Sequence, residues 1–184
     1  MKKPQKLTVK KLMTISLLIA LEIILTRILS IQTPIVRISF GFLPIVIMAM
    51  MYGPVYAGIG AVIANLVGVT LFPIAFFPGF ILTAFLSGIV YGLVLYNRPK
   101  CMKRIVIAVL IVTVILQLGL DTLWIQILAV GTLSIEGYLA LMPMRIVRTL
   151  IMAPIQIISI RTVTRQSVLG RFFYNASNNY EAMK

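Results

Sequence analysis

Apolar residues fall into six long runs separated by short polar breaks. The runs cover Leu12–Ser30, Phe40–Tyr52, Val55–Leu71, Gly79–Tyr96, Ile105–Val130 and Tyr138–Ile160. A helix rises about 1.5 Å per residue and needs roughly 20 residues to cross a hydrocarbon core of about 30 Å, with tilt and burial absorbing differences in length. Each run therefore predicts a transmembrane helix, the second being short for a full crossing. The breaks carry turn chemistry: Thr33-Pro34, Gly53-Pro54, Phe77-Pro78-Gly79, Asn97-Arg98-Pro99 and the loop from Gly131 to Gly137.

Composition agrees with the pattern. Of 184 residues 60% are apolar and only 11% charged, and the mean hydropathy is +1.06, which places the chain among all-α integral membrane proteins. It reads as one membrane domain: a basic N-terminus over 1–11, a six-helix bundle over 12–160 and a polar tail over 161–184. The first run follows five lysines as a secretion signal would, but it contains Glu22 and Arg27 and no Ala-x-Ala site follows, so it reads as a retained helix.

Assigning alternate breaks to opposite sides gathers Lys2, Lys3, Lys6, Lys10, Lys11, Arg98, Lys100, Lys103, Arg104, Arg161, Arg165, Arg171 and Lys184 on one side. Arg37 stands nearly alone on the other. Cytoplasmic loops carry the excess of Lys and Arg, so both termini are expected in the cytoplasm of a multi-pass protein of the cell membrane. The net charge of +13 is thereby explained by topology, since it is scattered over short segments and forms no nucleic-acid surface. On that side the sequon Asn175-Ala176-Ser177 has no meaning.

Four acidic residues, no His and one Cys leave little material for a metal site, a carboxylate pair or a Cys–His nucleophile, and a lone buried carboxylate lacks a nucleophile beside it. Cys101 has no disulfide partner. There is no Gly-x-x-x-x-Gly-Lys-[Ser/Thr] loop, so the chain is expected neither to be an enzyme nor to use ATP itself.

What polar chemistry there is gathers between Gln117 and Arg148. One Arg or Asp at the centre of a membrane helix costs roughly 2.5–3.5 kcal/mol by insertion scales, so Asp121, Arg145 and Arg148 are expected to face an interior cavity. All three lie about 10–15 Å from the outer ends of their helices. Gln117, Asp121, Trp124 and Leu128 recur at helical spacing, as do Arg145 and Arg148. An Asp121–Arg148 ion pair that only holds the bundle is one reading. Against it, Arg145, Arg27 and Arg37 leave surplus positive charge, which suits an anionic ligand. Trp124 reads as an interfacial belt residue or, at about 9 Å depth, as a stacking platform. Glu22 fits a cavity, an ion pair or a partner contact equally well. Small residues form a second set, Ser16 and Ala20 on the first helix and Ala57, Gly60, Ala61, Ala64 and Gly68 on the third, spaced for close helix approach. Internal packing suits the third helix, whereas the first could meet another protein.

These residues resemble a substrate-binding S component of an energy-coupling factor (ECF) vitamin transporter, most of all its folate-specific branch. The similarity is carried by Leu25-Thr26-Arg27-Ile28-Leu29-Ser30, Arg37-Ile38-Ser39-Phe40-Gly41-Phe42-Leu43-Pro44, Tyr52-Gly53-Pro54, Phe77-Pro78-Gly79-Phe80, Thr122-Leu123-Trp124 and Met142-Pro143-Met144-Arg145. The resemblance implies a six-helix fold with an outward-opening site, a transmembrane coupling (T) protein and two cytoplasmic ATPases that consume the ATP, with no cofactor on this chain. It also implies docking of the first helix on the coupling protein through Ser16 and Ala20, the Ser standing where Ala is more usual. Two departures exchange a charge: Asn65 where Asp is expected and Asp121 where Asn is expected.

The resulting expectation is a folate-binding subunit. Arg145, with Arg37 or Arg27, would meet the glutamate carboxylates. Asp121, Gln117 and Asn65 would read the pterin edge, Trp124 or Phe40 would stack on the ring, and Arg148 would complete the lining. The rivals are an S component for riboflavin or thiamine, an intramembrane enzyme using Asp121 or Glu22, and an assembly subunit without a ligand.

Overall fold

The computed structural model describes residues 9–32, 37–72, 77–97, 101–131 and 135–165. Lys2, Lys3, Lys6, Thr33-Pro34, Arg98, Lys100, Ser134 and the tail from residue 166 lie outside the described residues.

Six helices appear where the apolar runs predict them. The first, α1, is Val9–Ile23 continued by a wider π-type turn over Ile24–Ile28. A two-rung antiparallel ladder, Ile31 opposite Ile38 and Gln32 opposite Arg37, closes the connection to α2 (Phe42–Tyr52). Then come α3 (Pro54–Leu71) and α4 (Gly79–Leu95). The fifth helix, α5, joins α-helical Met102–Leu110, π-type Ile111–Leu120 and α-helical Asp121–Val130. The last, α6, is the 31-residue Ile135–Arg165, longer at both ends than its apolar run and carrying Pro143 and Pro154 inside it. Three of these helices, α3, α5 and α6, are long and apolar enough to cross a membrane by themselves. The shorter α2 and α4 are apolar helices packed on α3.

Turn chemistry appears where Gly and Pro stand. Gly53 takes φ +92° between α2 and α3, a conformation open to glycine, and Pro54 follows at the first position of α3, where a missing N–H costs nothing. Gly131, at φ +74°, ends α5 in the left-handed conformation.

The small residues of α3 pack internally. Ala57, Gly58, Gly60, Ala61, Ala64 and Gly68 are all buried, and α3 and α4 approach until a Cβ on Gly88 would stand 2.6 Å from the Ala57 carbonyl oxygen and one on Gly92 2.2 Å from Pro54 Cα. Backbone cannot yield there, so Gly88→Ala is expected to cost about 1–3 kcal/mol by overpacking, read as a lower melting temperature. A melting curve identical to wild type would mean that the two helices are less tightly apposed.

The dense core, including Ile15, Leu18, Met48, Ala49, Tyr91, Leu95, Ile105, Val109, Val112 and Ile160, fills the half of the bundle nearer the start of α1. Because α1 begins at Val9, Lys11 is helical and 7% exposed. Its Nζ lies 3.6 Å from the Tyr56 ring centroid and 5.3 Å from that of Tyr52, so aromatic faces hold a lysine that the sequence alone assigns to a solvated N-terminus. Arg161 donates to Met102 Sδ at 3.5 Å. The lysines of α1, the start of α5 and the end of α6 thus share one end of the bundle. The other half is hollow.

Candidate functional site

A cavity of about 560 Å³ occupies that hollow half, within the roughly 300–1,000 Å³ usual for small-molecule sites. Each wall contributes a helix segment. Glu22, Thr26 and Arg27 come from α1, Ser39 from the following loop, Ala64, Asn65 and Val69 from α3, and Phe80, Thr83, Ala84 and Ser87 from α4. On the far side stand Gln117, Asp121, Ile125 and Leu128 of α5 with Arg145 and Arg148 of α6.

Six residues singled out in the sequence, Arg27, Asn65, Gln117, Asp121, Arg145 and Arg148, therefore meet around one space. Three guanidiniums face two carboxylates, Glu22 and Asp121, a surplus of one positive charge in the lining. Arg145 and Arg148 are both close enough to act on the Asp121 carboxyl. Even so, Asp121 Oδ1 and Arg148 Nε are buried without a hydrogen-bond partner. Buried polar atoms are nearly always satisfied, so two unmatched ones on residues that line the same cavity are exceptions to the rule.

The backbone makes room for these side chains. Arg27 sits on the π-type end of α1, and its guanidinium lies over Gly68 of α3, where a Cβ would stand 2.9 Å from Nε. Gly41 accommodates Thr26, against whose Cγ2 a Cβ would collide at 2.1 Å. Thr149 turns its hydroxyl back to the Arg145 carbonyl at 2.9 Å, following Pro143, whose missing N–H interrupts the ladder two residues before Arg145.

Trp124 and Phe40 stand apart from the lining. The Trp124 indole lies over Gly79, donates from Nε1 to Thr83 Oγ1 at 3.1 Å and faces Phe77 with ring centroids 5.5 Å apart. Phe40 is 38% exposed and pairs with Phe42 at 6.3 Å. The Arg37 backbone joins the ladder beside the cavity, while its side chain lies outside the described residues. Ser16 and Ala20 are exposed on α1, between Met13, Leu17 and Leu21, which are exposed as well. Thr26, Ser39, Thr83 and Ser87 line the cavity without having been singled out as site residues. The signal for the last two was present: hydroxyls at i and i+4 in the otherwise apolar α4 mark one polar stripe.

Residues 10–163 match the family model for the substrate-specific component of ECF transporters. The chain belongs to that family. Among the relatives of this substrate-specific component is the folate transporter FolT of Clostridium novyi (strain NT), 44% identical over 144 residues that cover 78% of this chain and 81% of that protein. A folate transporter FolT of Leuconostoc mesenteroides subsp. mesenteroides is 32% identical over 154 residues, 83% of each chain. Among solved structures, a crystal structure of FolT bound with folic acid superposes with a TM-score of 0.76 at 35% identity, covering 85% of this chain and 93% of that one. The six-helix fold of this multi-pass membrane protein is thus the S-component fold, and its relatives are transport subunits rather than enzymes.

Proposed function

We propose that this S component binds folate and delivers it to an ECF-type, ATP-dependent uptake transporter. The observation that carries the reading is the division of labour in the cavity wall. Guanidiniums from α1 and α6 offer charge-assisted, fork-shaped donors suited to carboxylates, while Asp121, Gln117, Asn65, Thr83 and Ser87 offer the mixed donors and acceptors that a pterin edge needs. Folate carries both halves in one molecule. The names of the two relatives and the folic acid complex of the similar structure support the same ligand. Riboflavin and thiamine lack the pair of carboxylates that the surplus of guanidiniums suits. Purifying the protein from cells and extracting the bound small molecule tests the reading: the mass and absorbance of a folate are expected, and those of a flavin or a thiazolium would replace it.

ATP would be hydrolysed by two partner ATPases, with a T protein docking on the exposed Ser16–Ala20 face of α1. The basic end of the bundle would lie in the cytoplasm and the cavity would open outward. In intact cells a membrane-impermeant thiol reagent is then expected to reach a cysteine placed at Ser134 and to miss native Cys101, which is exposed at the opposite end. Labelling of Cys101 from outside would invert the orientation.

A further inference from the structure

Gly68, buried in the last turn of α3, leaves room for a charge. A Cβ added there would stand 2.9 Å from Arg27 Nε, 3.3 Å from its Nη2 and 3.5 Å from its Cζ, so the three nearest atoms all belong to one guanidinium. The backbone itself does not ask for glycine at this position. Positive φ falls at Gly53 and Gly131, whereas Gly68 is helical, and within a helix glycine is a poorer former than alanine. What glycine supplies here is space.

The alignment of α1 with α3 brings the two residues together. Earlier along the same pair of helices, a Cβ on Gly60 would meet Met48 and, at 3.8 Å, Ile19 Cγ1. Ile19 and Arg27 are as many residues apart on α1 as Gly60 and Gly68 are on α3. The two helices therefore run parallel in a shared register, and the packing that brings Ile19 to Gly60 also brings Arg27 to Gly68. One turn before Gly68 stand Ala64 and Asn65, which line the cavity together with Arg27.

The kind of neighbour decides what an added methyl would do. At Gly88 and Gly92 it would meet backbone, which cannot yield. At Gly68 it would meet the end of a flexible side chain, which can swing off α3 at little cost to folding but not without moving its charge. We propose that Gly68 is a positioning residue of the binding site: its bare backbone holds the Arg27 guanidinium against α3, in the stretch of cavity wall where it takes a ligand carboxylate. The ligand part of this inference rests on the folate reading, whereas the placement of Arg27 is a property of the ligand-free protein.

The test uses the full chain purified in detergent as wild type, Gly68→Ala, Arg27→Ala and the double variant. By calorimetry, Gly68→Ala is expected to bind folate about tenfold more weakly, as when a hydrogen bond to a charged group is lost, while its ligand-free melting temperature stays at or above that of wild type. A pterin fragment without the glutamate is expected to lose less. Because the effect passes through Arg27, Gly68→Ala is expected to add nothing to the loss already caused by Arg27→Ala. Without ligand, modification of Arg27 by phenylglyoxal, followed by mass spectrometry of its peptide, is expected to be faster in Gly68→Ala, where the guanidinium is pushed off α3. Four results would overturn the proposal: wild-type folate affinity in Gly68→Ala, an equal loss on adding Gly68→Ala to either background, a clearly lower melting temperature, or unchanged phenylglyoxal modification of Arg27. If wild type binds no folate, the folate reading falls alone, and the ligand-free modification rate and melting temperature decide whether Gly68 places Arg27.

Discussion

Arg145→Ala is expected to weaken folate binding by about 2–5 kcal/mol, the range for truncating one partner of a buried hydrogen-bonded charge pair, or roughly thirtyfold to several thousandfold in Kd. Folate brings two carboxylates into a cavity whose positive charge comes from Arg27, Arg145 and Arg148, and a carboxylate left there without a cation keeps its desolvation cost. Arg145 projects from α6 next to the Pro143 interruption. A guanidinium matches a carboxylate with two parallel N–H donors, so Arg145→Lys retains the charge without the fork and is expected to recover only part of the loss. A pterin fragment lacking the glutamate never made the contact and should lose less than folate does. Calorimetric titration of the three proteins with both ligands checks this. Unchanged folate affinity in Arg145→Ala, accompanied by a lower melting temperature, would assign Arg145 to bundle stability.

Ala20→Trp is expected to abolish folate uptake by cells while the purified variant binds folate as wild type. Ala20 and Ser16 stand one turn apart on the exposed face of α1, and small residues at that spacing let a second helix approach to backbone distance. An indole there holds the helices apart without touching the cavity, which draws on the Glu22, Thr26 and Arg27 turns of the same helix. Uptake by whole cells and binding by the isolated protein are the paired measurements. Parallel loss of both would mean that the face packs within the chain.

The apolar runs made the six helices legible because each is bounded by residues that cannot continue it, and the structure places Gly53, Pro54, Gly79 and Gly131 at those boundaries. The cavity was legible for a related reason. Charged residues within membrane helices have few places to go, so Arg27, Asp121, Arg145 and Arg148 converge. What the sequence hid is the phase of α5. A regular helix advances about 100° per residue and puts Gln117, Asp121, Trp124 and Leu128 on one face. The π-type turn over Ile111–Leu120 is wider and advances less per residue, so by the next turn Ile125 faces the cavity and Trp124 has rotated toward α4. Periodicity carries no mark of that widening. Lys11 was hidden for a different reason: its burial depends on Tyr52 and Tyr56, more than forty positions away.

The most direct measurement of the central claim is a titration of the purified, ligand-free chain with folate, riboflavin and thiamine under one set of conditions. Tight one-to-one binding of folate, with riboflavin and thiamine failing to compete, is the predicted result. Binding of either competitor in place of folate, or of none of the three, would contradict it.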